Sequence, residues 1–219
     1  MNILVIGEQV NLEEAKQKFG DTHLWHHRVA HIQLSEVINQ VDIVFDFIPN
    51  PDSIDSYNPT KELPIFFNTS LITLKTIFKN GDIDKMMSFG FCGMPTFLNR
   101  ELLEVSMRKQ ADVPALTLIC KKLGTDFKPV ADSVGLVTPR IICMIINEAF
   151  YTVEEGTASR SDIDLAMKLG TNYPYGPFEW CNRIGIKNVI DLLKSVYSDT
   201  QDERYVICPL LLKEAASAR

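Results

Sequence analysis

The chain has 219 residues, 46% of them hydrophobic, and its 22 Lys and Arg against 28 Asp and Glu leave a formal net charge of −6. That length suits one large or two small cores. The acidic balance argues against a general nucleic-acid or membrane-surface role, because phosphates and anionic lipids repel such a field. No apolar run approaches the roughly 20 residues of a membrane span.

The N-terminus moves straight into an apolar segment, with no basic region or cleavage site, so no secretory signal is expected. Residues 2–6 (NILVI) read as a buried strand closed by Gly7, and Asn11 followed by Glu14 reads as the cap of a helix over 11–19. Further strands are expected at 23–28, 42–48, 64–67, 86–91, 102–107 and 128–131, and helices at 34–40, 71–79 and 113–123. The Pro, Asp, Ser and Asn content of 49–60 marks a loop. Strands alternating with helices make residues 1–132 an α/β layer with a largely parallel sheet. From residue 133 the pattern turns helical. Thr138-Pro139 opens a helix that is apolar on nearly all faces and stops at Gly156. Ser159 caps the next, with Asp162 in the capping-box position and Gly170 as the stop. An amphipathic helix around 186–197 and a short apolar one near 209–215 complete an all-α part, 133–219. The cysteines, Cys92, Cys120, Cys143, Cys181 and Cys208, show no C-x-x-C spacing, which suits buried thiols in a reducing cytoplasm.

The stretch SRSDIDLAMKLGTNYPYGPFEWCNRIG (159–185) resembles the C-terminal helical domain of 3-hydroxyacyl-CoA dehydrogenases, whose D-I-D-x-A-M-K-L-G helix precedes Y-P-x-G-P-F-E. Asp162 to Gly170, Tyr173, Pro174 and Gly176 to Glu179 match it. Upstream, FNTSLITL, LLEV and KPVADSVGLV are similar to family segments in the same order. The resemblance implies an abbreviated Rossmann-like domain, a helical dimerisation domain, NAD, and oxidation of a 3-hydroxyacyl-CoA. It also assigns positions. Ser70 falls on the family's N-T-S serine, Glu104 on the glutamate of L-V-E-V, and Cys92, twelve residues earlier, on the catalytic histidine. Pro139 stands where the family has a substrate-binding asparagine, with Arg140 kept beside it.

The three glycines of a G-x-G-x-x-G turn serve the tight turn, the close approach of the pyrophosphate, and helix–strand packing in that order. Gly7 keeps the first, as a vestige of cofactor binding, while Gln9 and Leu12 replace the others and Glu8 adds a negative charge. No ribose-binding acid follows about 20 residues on, where the chain reads HHRVAH. His27 and Arg28 as a cradle for the 2′-phosphate of NADP is an alternative. Cys92 has no second nitrogen to serve Glu104, and a neighbouring carboxylate raises a thiol pKa. It reads as an inert thiol, with a nucleophilic role as the other possibility. Ser70 reads equally as a donor to a substrate carbonyl or as part of an Asn68-Thr69-Ser70 helix cap. His23, His26, His27 and His31 fall within nine residues, but two ligands on one strand face make a weak metal site, and a solvated edge strand fits them better.

These readings favour a non-catalytic family member that binds an acyl-CoA or a partner subunit and carries no cofactor. A working dehydrogenase with an unorthodox site, using NAD, is the second reading. A different acyl-CoA reaction through Ser70, Cys92 and Glu104 is the third. The family's G-x-G-F-Y-type tail is missing after PLLLKEAASAR, and the LLL at 210–212 suits a homodimer formed through 133–219.

Overall fold

The computed structural model describes residues 1–58, 62–78 and 86–217. They divide into two compact units, Met1–Leu136 and Val137–Arg219, a boundary four residues beyond that expected from sequence.

In the first unit the elements run β1 (Asn2–Ile6), α1 (Gln9–Phe19), β2 (Leu24–Arg28), β3 (Ile43–Asp46), β4 (Pro64–Asn68), α2 (Leu74–Ile77), β5 (Met87–Phe91), β6 (Leu102–Met107), α3 (Val113–Leu123) and β7 (Asp126–Val130). The strands form one sheet in the order β2-β1-β3-β4-β5-β6-β7, parallel throughout except where β5 meets β6. The mostly parallel sheet anticipated from the alternating pattern is therefore what the chain adopts. Successive side chains of a strand point to opposite faces, so unbroken apolar runs serve two cores. Ile3, Val5 and Phe45 face α1 and α3, with the Phe45 ring stacked on Phe19 and Phe66. Leu4, Ile6 and Val44 face the connections that hold Leu34, Tyr57 and Leu74.

Several local expectations fail. The helix expected at 34–40 is a single 3-10 turn, Leu34–Glu36. That at 71–79 shrinks to Leu74–Ile77, with residue 79 outside the described residues, as are 59–60 of the loop. Residues 51–57 of that loop wind into a 3-10 helix. The first helix starts at Gln9, two residues early, because the chain turns directly out of Gly7. Asn11 lies inside it, and its Oδ1 accepts the Glu8 N–H at 2.8 Å.

The second unit is all-α: α4 (Thr138–Glu154), α5 (Arg160–Thr171), α6 (Pro177–Ile184), α7 (Ile186–Thr200) and α8 (Pro209–Ser217). The apolar α4 buries one broad stripe, Ile142, Cys143, Ile146, Ala149 and Phe150, and leaves Ile141 exposed. Within the stripe, Asn147 donates to the Val206 carbonyl at 2.8 Å and accepts the Cys208 N–H at 2.9 Å. Ser159 caps α5 as expected, but Gly170 does not end it: Asn172, with φ 56°, takes the left-handed position.

The α6 helix was hidden by the turn-rich TNYPYGP, whose last proline is its first residue. Its N-terminus is locked to α5. Asp164 Oδ1 accepts the Phe178 N–H at 2.8 Å, while Glu179 accepts the Gly176 N–H at 3.0 Å and Lys168 Nζ at 2.6 Å. A Cβ on Gly176 would overlap the Asp164 carboxylate and come within 2.5 Å of its Cα. The D-I-D and G-P-F-E segments are thus two halves of one joint. No described helix is long and apolar enough to cross a membrane.

Candidate functional site

Of the residues singled out by sequence, Gly7, Ser70 and Cys92 follow the ends of β1, β4 and β5, while Glu104 lies within β6. A parallel sheet reverses the direction of its connections at one point, here between β1 and β3, and Gly7 follows β1. The Gly7 N–H donates to the Arg28 carbonyl at 2.9 Å, and His27 Nε2 lies 2.8 Å from the Gly7 carbonyl oxygen. A Cβ on Gly7 would sit 2.7 Å from Asn11 Oδ1 and 2.9 Å from Phe47 Cβ. The space beside Gly7 thus holds the Asn11 amide side chain, to which the N–H of Glu8, the residue that precedes the helix, is already bonded. Leu12, in the place of the third glycine, is buried in the core beneath.

Phe47 carries the site across to β5. Its ring packs edge-on against Phe91, and it touches the position a Cβ would take on Gly93 at 2.8 Å. Its carbonyl accepts Asn68 Nδ2 at 3.0 Å. Asn68 is the hub of this end. Its Oδ1 accepts the Gly93 N–H at 2.9 Å and the Ser70 N–H at 3.2 Å, and lies 2.5 Å from Ser70 Oγ. Ser70 Oγ is also 3.3 Å from Cys92 Sγ. The hydroxyl has one hydrogen, and the amide oxygen is the stronger acceptor for it. The Asn68-Thr69-Ser70 segment does not cap a helix: Thr73 caps α2.

The structure therefore brings Ser70 and Cys92 together. Burial pushes the Cys92 thiol up to about 12, with the Glu104 and Glu14 carboxylates adding to the rise and the Ser70 hydrogen bond opposing it. Glu104 is close enough to act on both Cys92 and the half-buried Arg100, whose guanidinium lies 4.9 Å from the Phe97 ring centroid. A buried thiol with this pKa is neutral at physiological pH and is no nucleophile. It ionises only once unfolded, so its contribution to stability is complete below its ordinary value near 9 and is lost as pH rises toward 12. We expect the unfolding free energy to fall above about pH 9 by about 1.4 kcal/mol per pH unit for each such thiol. Urea titrations between pH 8 and 11 should show a shallower slope in Cys92→Ala. An unchanged slope would mean that the thiol ionises in the native protein.

Two roles escaped the sequence reading, which had placed Glu14 in the cap of α1. Glu14, on α1, accepts the backbone N–H groups of Thr96, Leu98 and Asn99, and burial raises its pKa against those bonds. It pins the loop that follows Cys92. Asp46, at the end of β3, is fully buried. Its Oδ2 receives the Tyr57 hydroxyl at 2.7 Å and faces His31 Nε2 at 3.0 Å, and its Oδ1 accepts the Ile48 N–H. An acid inside an apolar strand, FDF, was the available signal. The four histidines do not converge. His23 neighbours the Met1 amine, His27 the Gly7 carbonyl, and His31 pairs with Asp46. Among the described residues no three side chains are placed to hold a metal ion.

In the second unit, Pro139 lies in the first turn of α4 and supplies neither an amide side chain nor an N–H. The Arg140 guanidinium stands 5.6 Å from the Tyr205 ring centroid.

Residues 135–219 match the family model of the 3-hydroxyacyl-CoA dehydrogenase C-terminal domain. The chain is 40% identical over 148 residues to a 3-hydroxybutyryl-CoA dehydrogenase of Clostridioides difficile, a match that spans 67% of this chain and 53% of that protein. It is 43% identical over 92 residues to the 3-hydroxyadipyl-CoA dehydrogenase of Escherichia coli, covering 42% of this chain and 19% of the other. The chain thus spans about half or less of the length of these relatives. An (S)-3-hydroxybutyryl-CoA dehydrogenase structure from Ralstonia eutropha superposes with a TM-score of 0.77 over 99% of this chain and 93% of that one. At 19% identity that likeness concerns the fold alone.

Proposed function

The chain belongs to the 3-hydroxyacyl-CoA dehydrogenase family, and from that premise we propose that it is a homologue that has given up hydride transfer and serves as an acyl-CoA-binding or regulatory module. The observation that carries this reading is the turn after β1. A dinucleotide needs open space and free N–H donors there. Asn11 fills the space beside Gly7 and takes the Glu8 N–H, and Gln9 and Leu12 add side chains where glycines would stand. These residues do not fit NAD. The thiol at 92 supports the same conclusion, because a group held up to about 12 does not accept a proton from an alcohol near neutral pH. What remains is the polar end made by Ser70 and Asn68, where the Ser70 hydroxyl would reach a thioester carbonyl by giving up its bond to Asn68 Oδ1. The free, buried cysteines suit a cytoplasmic setting.

A second reading, a working NAD-dependent dehydrogenase of fatty-acid metabolism, draws on Ser70 and Glu104, which both flank Cys92. Calorimetric titration separates the two. The first reading expects heat with acetoacetyl-CoA alone and none with NADH, whereas micromolar NADH affinity would overturn it.

The helical unit is proposed to form a homodimer. Leu165 and Leu169, four residues apart on α5, are 53% and 79% exposed, and Val137, just before α4, and Ile141 on it are exposed too. Apolar side chains at this spacing share a helix face and call for cover. Sedimentation should give twice the monomer mass, and replacing both leucines by glutamate should halve it. A monomeric native protein would refute the dimer.

A further inference from the structure

The two edges of the seven-stranded sheet are treated differently. Exposed strand edges template unwanted pairing, and proteins blunt them with proline and charge. Strand β7, DFKPV, does so with Asp126, Lys128 and Pro129. Strand β2, LWHHR, has no proline and no acid. Large apolar side chains stand exposed along it and just beyond: Leu24 at 68%, Val29 at 72% and Ile32 at 67%.

The inner side of β2 is fully used by β1. The Leu24 N–H donates to the Met1 carbonyl and the Arg28 carbonyl accepts the Gly7 N–H, both at 2.9 Å, over a parallel register from Asn2↔Leu24 to Ile6↔Arg28. Backbone groups alternate in direction along a strand, so those of Trp25 and His27 point outward. Among the described residues no strand pairs with that side. What lies there is cationic: Arg28 folds back so that its guanidinium donates to the His27 carbonyl at 2.9 Å. In a chain of net charge −6, residues 23–31 (HLWHHRVAH) hold one arginine, four histidines and no acid.

We propose that the outer edge of β2 accepts an extended segment of another polypeptide, with alternating acidic and apolar side chains, as an eighth strand. A second copy of this chain is a poor occupant. Two-fold antiparallel pairing centred on His26 would set imidazole against imidazole and leave each Arg28 opposite Leu24, with no carboxylate to answer it. An acidic row beside His26 and Arg28 answers the guanidinium already lying on the edge, and the apolar row on the opposite face covers Trp25 and Val29. The mode is strand addition, where backbone bonds give affinity and alternate side chains give selectivity.

Hydrogen exchange with two synthetic probes tests this, using acetyl-(Glu-Val)4-amide and acetyl-(Lys-Val)4-amide at millimolar concentration. The glutamate peptide is expected to slow exchange of the Trp25 and His27 amides at least tenfold, and the lysine peptide to leave them unchanged. Arg28→Glu should reverse that preference. Equal protection by both peptides, protection by neither, or protection of the same amides by self-association without peptide would each overturn the proposal.

Discussion

NADH added to the protein is expected to produce neither heat nor a change in nicotinamide fluorescence up to millimolar concentration. That limit corresponds to binding weaker than about −4 kcal/mol. The argument is spatial before it is electrostatic. Asn11 Oδ1 fills the space beside Gly7 and holds the Glu8 N–H, and Gln9 brings a side chain where the pyrophosphate needs the second glycine. The pyrophosphate would also meet the Glu8 carboxylate at the mouth of the turn. Turnover follows the same direction. Loss of a general base costs about 10²- to 10⁴-fold in rate, so NADH oxidation in the presence of acetoacetyl-CoA should not rise above the protein-free blank. Cys92→His alone should restore nothing, since it returns a base and leaves the turn filled. Micromolar binding, or turnover lost in Glu104→Gln, would favour the dehydrogenase reading.

The largest expected effect on stability is at Gly176. Alanine there drives a methyl group into the Asp164 carboxylate and within 2.5 Å of the Asp164 Cα. Overpacking of this kind costs about 1–3 kcal/mol, and displacing Asp164 from the Phe178 N–H removes a cap worth about 1 kcal/mol. Together these amount to about 2–4 kcal/mol, a fall of roughly 5–15 °C in Tm. Asp164→Ala should cost only the cap. The double variant should be more stable than the sum of its parts, because removing the carboxylate relieves part of the overlap. Strict additivity by differential scanning calorimetry would show that the two positions do not form a joint.

The sheet was legible because its strands are short apolar runs separated by polar punctuation, and all seven lie where that pattern places them within a few residues. Helices were less so. The segment 34–40 has helical spacing, yet tertiary packing leaves it one 3-10 turn. Gly170 has the right chemistry for a stop, but Asn172 two residues later serves instead. Within the site, Ser70 and Cys92 were singled out by the family resemblance, and they do meet. Asn68 and Glu14 were read only as cap residues, because the bonds that define their roles include partners 25 and 82 residues distant, Gly93 and Thr96. Local pattern carries no information about such pairings.

A protein that binds a coenzyme only when folded gains stability in proportion to the logarithm of coenzyme supply. In the proposed reading, with Asn11 seated beside Gly7, that dependence has no entry point here. The melting temperature of this chain should stay constant as the cellular nicotinamide pool rises and falls, leaving its abundance indifferent to redox state where its catalytic relatives would respond.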